Sequence, residues 1–169
     1  MKRHLILATI LALCAISCHK QNNPQPPPSN GYFRGKVDGV FFSDSVWAHI
    51  STPTDPMWGP IETIIEGRDS DLVITLRLPA FITTGERLLN QATVDAIRIT
   101  DYGTGGSFLA GFNGYTGSPA QGSGKINILE ITSSYMRGTF ECIAPPTDSA
   151  AGIFPPIYIT EGEFKLKSY

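Results

Sequence analysis

From Gly31 onward apolar and polar residues alternate with a period of two, which restricts the chain to strands. The clearest run is residues 72–78, where Leu72, Ile74, Leu76 and Leu78 face one way and Val73, Thr75 and Arg77 the other, until Pro79 ends it. Ile97 and Ile99 repeat the pattern around Arg98, and so do Met136, Phe140 and Cys142 with Gly138. No window of about eleven residues carries a 3.6-residue period, so at most one helical turn is expected, near residues 91–95.

Turn chemistry divides the alternation into segments. Asp38-Gly39 accepts the positive φ values of a type I′ turn and predicts a reversal from residues 33–37 into a strand over 40–50. Residues 51–60 hold three prolines and predict a loop. A short strand over 61–66, a polar turn over 67–71 and strands over 86–89, 94–100, 107–115, 124–132, 135–143 and 157–166 follow. Two of these slip phase. Ile126 and Ile128 share a face that Leu129 and Ile131 do not, and Phe164 and Leu166 regain the inner face only past Glu161-Gly162. A one-residue slip of this kind is what a β-bulge produces. The sum is an all-β domain over residues 31–169, of about nine or ten strands. An antiparallel β-sandwich is expected ahead of a lipocalin-like closed barrel, because short strands with phase slips suit chains that bend between sheets.

No disulfide is expected to assist this fold. The sequence has three cysteines, Cys14, Cys18 and Cys142, and only Cys142 falls within the alternating region. Burial must therefore supply the stability, and a domain of about 140 residues can bury roughly two-thirds of its unfolded surface.

The other two cysteines belong to a leader. Lys2, Arg3 and His4 precede an apolar run over residues 5–16 that is too short for a permanent span and suits a secretory signal peptide over residues 1–17. It ends in Ala15-Ile16-Ser17-Cys18, which resembles the lipobox of bacterial lipoproteins, whose cysteine is acylated and becomes the new N-terminus. Cys18 is the expected lipidation site; Cys14 is the poorer candidate, since bulky Leu13 stands where a small residue belongs. Two or more acyl chains at Cys18 would make a stable membrane anchor, whereas one binds only marginally. Residues 19–30, HKQNNPQPPPSN, have four prolines and nothing apolar to bury, so 18–30 reads as an extended tether reaching some ~35 Å. Loss of Lys2 and Arg3 leaves 11 basic residues against 15 acidic ones. A net charge of −4 with no basic stripe argues against a nucleic-acid partner.

Taken together, the lipobox, Phe33-x-x-x-Val37-Asp38-Gly39, the segment GSGKINILEI at 122–131, Arg137-Gly138-Thr139-Phe140 and Ile159-Thr160-Glu161-Gly162-Glu163-Phe164 resemble small Bacteroidetes lipoproteins carrying a β-rich domain of unknown function. The resemblance covers most of residues 32–166. It implies an exported, anchored β-domain on the outer membrane and brings no activity or site residues. The acidic pair that follows the cysteine in some surface-exported lipoproteins of this type is absent, which favours the periplasmic face over the cell surface.

Catalytic motifs fail one by one. His49 is the single histidine of the domain, too few for an imidazole metal site or a convincing Ser–His–Asp triad. Gly122-Ser123-Gly124 lacks the glycine that a nucleophile elbow needs at Gln121, and Gly124-Lys125 lacks the remainder of a phosphate loop. Asp69-x-Asp71 with Glu66 lacks the further ligands and central glycine of a calcium loop and reads as a solvated turn. Glu141, Glu161 and Glu163 would meet if the last two strands pair, as the carboxylates of a glycoside hydrolase do, but cross-strand pairing with Arg137, Lys165 or Lys167 is the simpler expectation. Cys142, facing inward, reads as an inert thiol. No catalytic residue, metal or cofactor is expected.

Loop aromatics carry the remaining signal. Trp58 lies in the proline-bounded DPMWGP segment, and Trp47, Tyr102, Phe108, Phe112 and Tyr115 flank flexible stretches. Trp58, Trp47, Tyr102 and Tyr115 are the expected ligand-binding residues of a non-enzymatic, membrane-tethered module for a glycan or an envelope protein. The alternatives are a structural lipoprotein whose sheet edges dock an outer-membrane assembly, and a carboxylate-dependent envelope hydrolase.

Overall fold

The computed structural model describes residues 31–45, 47–55, 57, 59–60, 62–89, 95–113, 118–147 and 154–167. The leader, Cys18 and the tether therefore lie outside the described residues, as do residues 91–94 of the expected helical turn. The described chain is an antiparallel β-sandwich with no helix.

Among the described residues fourteen strands replace the nine or ten expected. One six-stranded sheet has the order β2 (Val40–Asp44), β1 (Gly31–Val37), β14 (Ile157–Lys167), β13 (Tyr135–Ala144), β12 (Ser123–Ile131) and β8 (Gly85–Leu88). The facing six-stranded sheet has the order β11 (Ser118–Gln121), β10 (Gly106–Asn113), β9 (Ala96–Asp101), β7 (Leu72–Pro79), β6 (Glu62–Asp69) and β3 (His49–Ser51). A two-stranded ribbon, β4 (Thr54–Asp55) with β5 (Gly59–Pro60), occupies what sequence alone reads as plain loop.

Alternation places the core where expected. Ile74, Leu76 and Leu78 of β7, Ile97 and Ile99 of β9, and Met136, Phe140 and Cys142 of β13 are all buried between the sheets. Phe33 lies at the centre of an aromatic group, its ring centroid 4.8 Å from Phe140, 5.9 Å from Phe42 and 6.4 Å from Phe164. It reaches across to β6 at Gly67, where an added Cβ would stand 2.5 Å from Phe33 Cδ1. Glycine is required there because the ring occupies the volume of any side chain.

Both expected bulges are present. The β12–β13 register shifts between Ile128 and Glu130, leaving Leu129 as the extra residue, 47% exposed. The registers of β14 with β1 and with β13 both shift around Glu161, whose φ is 55°. The type I′ turn is also as expected, with φ 50° at Asp38 and 81° at Gly39.

Two local expectations need correction. Residues 40–50 form not one strand but two in different sheets, because Asp44 turns the chain across. Its carboxylate, 3% exposed, accepts from Trp47 N at 2.8 Å and from Arg68 N at 2.7 Å, satisfying backbone donors that the crossing would otherwise strand. The turn expected over 67–71 is only Ser70-Asp71, since Gly67, Arg68 and Asp69 still pair with β7. Phe108, by contrast, faces inward as the alternation of residues 107–115 implies, 3% exposed and edge-on against Phe154.

Phe33→Ala should cost about 3–5 kcal/mol of unfolding free energy and Gly67→Ala about 1–3 kcal/mol, both read from urea unfolding. A loss under about 1 kcal/mol for Phe33→Ala would mean that this ring is not the centre of the core.

Candidate functional site

Three turns meet at the end of the sandwich opposite Gly31: Asp38-Gly39, Ser70-Asp71 and residues 102–105. With seven residues in β1, that end lies roughly 20 Å from Gly31. Carboxylates fasten the turns. Asp38 N donates to Tyr158 O, and Tyr158 N donates back to Asp38 Oδ1 at 2.8 Å. Asp101 Oδ1 accepts from Gly103 N at 2.9 Å and Oδ2 from the Thr104 hydroxyl at 2.8 Å; the Thr104 bond is the main reason its carboxyl sits below the usual range. Tyr102 N donates to Asp71 O at 2.8 Å, tying two of the turns together.

Between them lies an open cleft of about 410 Å³. Val37, Val40, Phe41, Phe42, Leu72 and Ile157 line it with Asp38, Asp69, Asp71 and Asp101. Val40 is 70% exposed, Phe41 64% and Tyr102 at the rim 65%. Among the described residues none of these four carboxylates forms an ion pair, and the Asp71 carboxylate accepts no hydrogen bond. The cation recorded at this end, Arg68, is held by Ser70 O and sits 6.0 Å from the Tyr102 ring.

The four expected ligand-binding aromatics fare unequally. Tyr102 does not line the cleft but stands next to it, between Asp101 and the turn that its N–H ties to Asp71 O. Trp47 is 72% exposed on the crossing between the sheets, with its carbonyl against His49 Nδ1. Trp58 and Tyr115 lie outside the described residues. Sequence reading missed Val40 and Phe41, which look like ordinary strand residues until the strand proves to be an edge.

The three glutamates do come together, around a depression of about 300 Å³ on the outer face of the first sheet. Each already faces a cation, though not those expected. Glu163 pairs with Arg34, Glu161 with Lys36 at 2.6 Å and Glu141 with Lys125 at 3.6 Å. Arg137 pairs instead with Glu130, and Lys165 lies over the Tyr135 ring. Glu86 and then Glu141 raise Lys125 above its ordinary value. Among the described residues no group of three or more His, Cys, Asp or Glu side chains is placed to hold a metal ion. Glu66, the third member of the rejected calcium set, accepts instead from the Thr75 hydroxyl.

The chain matches no protein-family model, no curated protein and no solved structure.

Cys142 is 4% exposed, and burial pushes its thiol up to about 12. Native protein should therefore resist alkylation at Cys142 near pH ~8, as mapped by peptide mass, and react once unfolded. The folded-state value lies above the ordinary 9.0, so this group's contribution to stability is complete below pH 9.0 and is lost as pH rises toward about 12. Cys142→Ala should flatten part of that alkaline decline. Tyr32, raised by burial, Tyr135, raised by its bond to Glu130, and Lys125, raised by Glu86, contribute to the same decline.

Proposed function

We propose that this protein is an envelope lipoprotein, anchored through Cys18, whose β-sandwich is a non-catalytic recognition module. It engages a partner protein that presents cationic side chains beside apolar ones. The observation that carries this reading is the cleft at the far end of the domain, where four carboxylates without ion pairs stand beside exposed Val40, Phe41 and Tyr102. Elsewhere among the described residues every glutamate except Glu66, which accepts from Thr75, is matched with a basic residue, so most of the uncompensated charge collects where exposed apolar area also collects. Such a combination speeds and orients docking of a complementary surface and supplies apolar contact once docked.

Docking through sheet edges is less well supported. Asp69 Oδ2 takes the outward Ser43 N–H of β2, β3 and β8 have three and four residues, and β11 carries Pro119, which has no N–H to offer. A carrier function of the lipocalin kind finds no support either, since side chains fill the space between the sheets.

Asp71→Asn and Tyr102→Ala each lie on the surface and should leave the melting temperature unchanged. Both should reduce salt-sensitive capture of an envelope partner by the detergent-solubilised protein, whereas Glu161→Gln on the outer sheet face should not. Equal capture by all three variants would contradict the assignment of the far-end cleft.

A further inference from the structure

The end of the sandwich that holds Gly31 differs from the far end both in charge and in what protrudes from it. Strands β6 and β7 pair from Asp69 opposite Leu72 to Glu62 opposite Pro79, so the chain leaves β7 at the Gly31 end, away from the Ser70-Asp71 turn. Ser51 of β3 lies opposite Ile64, so residues 52–60 run toward the same end. Two apolar side chains stand out from these connections: Phe81 is 83% exposed and Met57 80%. Ile82 packs against the core, which leaves its neighbour Phe81 at the tip. The 132–134 turn between β12 and β13 reaches this end too, and Leu129 is exposed just ahead of it. Single exposed apolar residues are ordinary, but several from separate connections at one end mark a surface that meets something.

Charge reverses along the same axis. Four aspartates collect at the far end, whereas Lys165 and Lys167 of β14 lie at the Gly31 end, opposite Tyr32 and Tyr135. Among the described residues neither lysine forms an ion pair, while the neighbouring carboxylates of Glu130 and Glu163 are already matched with Arg137 and Arg34. Lys165 Nζ stands 4.4 Å from the Tyr135 ring centroid. Lysines beside tyrosines and protruding apolar tips suit a lipid headgroup layer. The ammonium meets phosphate, the phenol sits at the polar boundary, and the tips pass into it. The covalent chain brings that layer within reach. Cys18 is thirteen residues before Gly31, so a lipid on its sulfur keeps Gly31 within ~45 Å of the bilayer however the intervening chain is arranged. At the effective concentration this sets, even a weak contact is populated.

We propose that the Gly31 end of the domain rests on an anionic phospholipid surface, with Phe81 and Met57 entering the headgroup layer and Lys165 and Lys167 meeting lipid phosphates. The inference rests on the anchor at Cys18, and it leaves the far-end cleft turned away from the membrane. The test places the full mature chain, its mass first checked at Cys18, in nanodiscs of phosphatidylethanolamine and phosphatidylglycerol. NMR then reads the broadening of each amide by a lipid with a nitroxide on its headgroup. Amides of residues 80–82, 133–135 and 165–167 should broaden, while those of 69–71 and 101–105 stay sharp. Lys165→Gln combined with Lys167→Gln should lower the docked-to-free ratio roughly tenfold or more, and Phe81→Ser severalfold, with amide dispersion unchanged. Replacing phosphatidylglycerol by phosphatidylcholine should act like the lysine substitutions. Equal broadening at both ends, broadening confined to the far end, or a contrast that survives the lysine substitutions or the neutral lipid would overturn the proposal. A contrast that appears only with two copies in one disc would assign this face to a second copy and overturn it as well. An unmodified thiol at Cys18 would instead refute the anchor, and coupling that thiol to a maleimide phospholipid then reads the orientation all the same.

Discussion

Contact of the Phe33 ring with the backbone of Gly67 is the point at which the two sheets register against each other. Among the described cysteines only Cys142 exists, and it is free, so no covalent bridge holds the sheets and apolar burial must. Phe42, Phe140 and Phe164 gather around Phe33 from three neighbouring strands, and the missing side chain at position 67 lets the second sheet close over them. Everything functional about the domain inherits that geometry. Because β1 runs through the cluster from Gly31 to Val37, one end of the sandwich holds Gly31 and the other carries the Asp38, Ser70 and Tyr102 turns.

Electrostatics sorts along the same axis. Glutamates and basic residues alternate across the outer sheet faces and largely cancel, in exposed pairs that add little to stability but keep the surface soluble. The aspartates instead concentrate in the turns at the far end, where they are needed to fasten backbone N–H groups. Their charge is left over once that structural task is done. A negative pole beside exposed aromatic and aliphatic side chains is thus a by-product of turn chemistry that a binding module can use. The Arg87–Asp95 pair is of a different kind: a buried aspartate facing a half-buried arginine, neutral overall.

Much of the fold is legible in the sequence because strand periodicity is local. The inward residues of β7, β9 and β13, the Asp38-Gly39 reversal and both phase slips follow from side chains that alternate across a pleat, and each slip marks a bulge. What escapes is set by distant neighbours. Nothing local says that β8 joins the first sheet or that residues 40–50 divide between two sheets, since those outcomes depend on Asp44 meeting Arg68 N from a strand 24 residues away. Nor does anything local say that Asp95 is buried or that it faces Arg87 from the other sheet. Tyr102 is legible as an exposed turn aromatic, whereas Phe41 is not, because its exposure follows from β2 being an edge.

An anchored module differs from a secreted one at a single sulfur, so the mass of the mature polypeptide is the most direct measurement. Extracted from membranes in detergent, it should begin at Cys18 and carry a thioether-linked diacylglycerol with an amide-linked acyl chain on its N-terminus. A mature chain recovered from the aqueous fraction with an unmodified thiol at Cys18 would contradict the account.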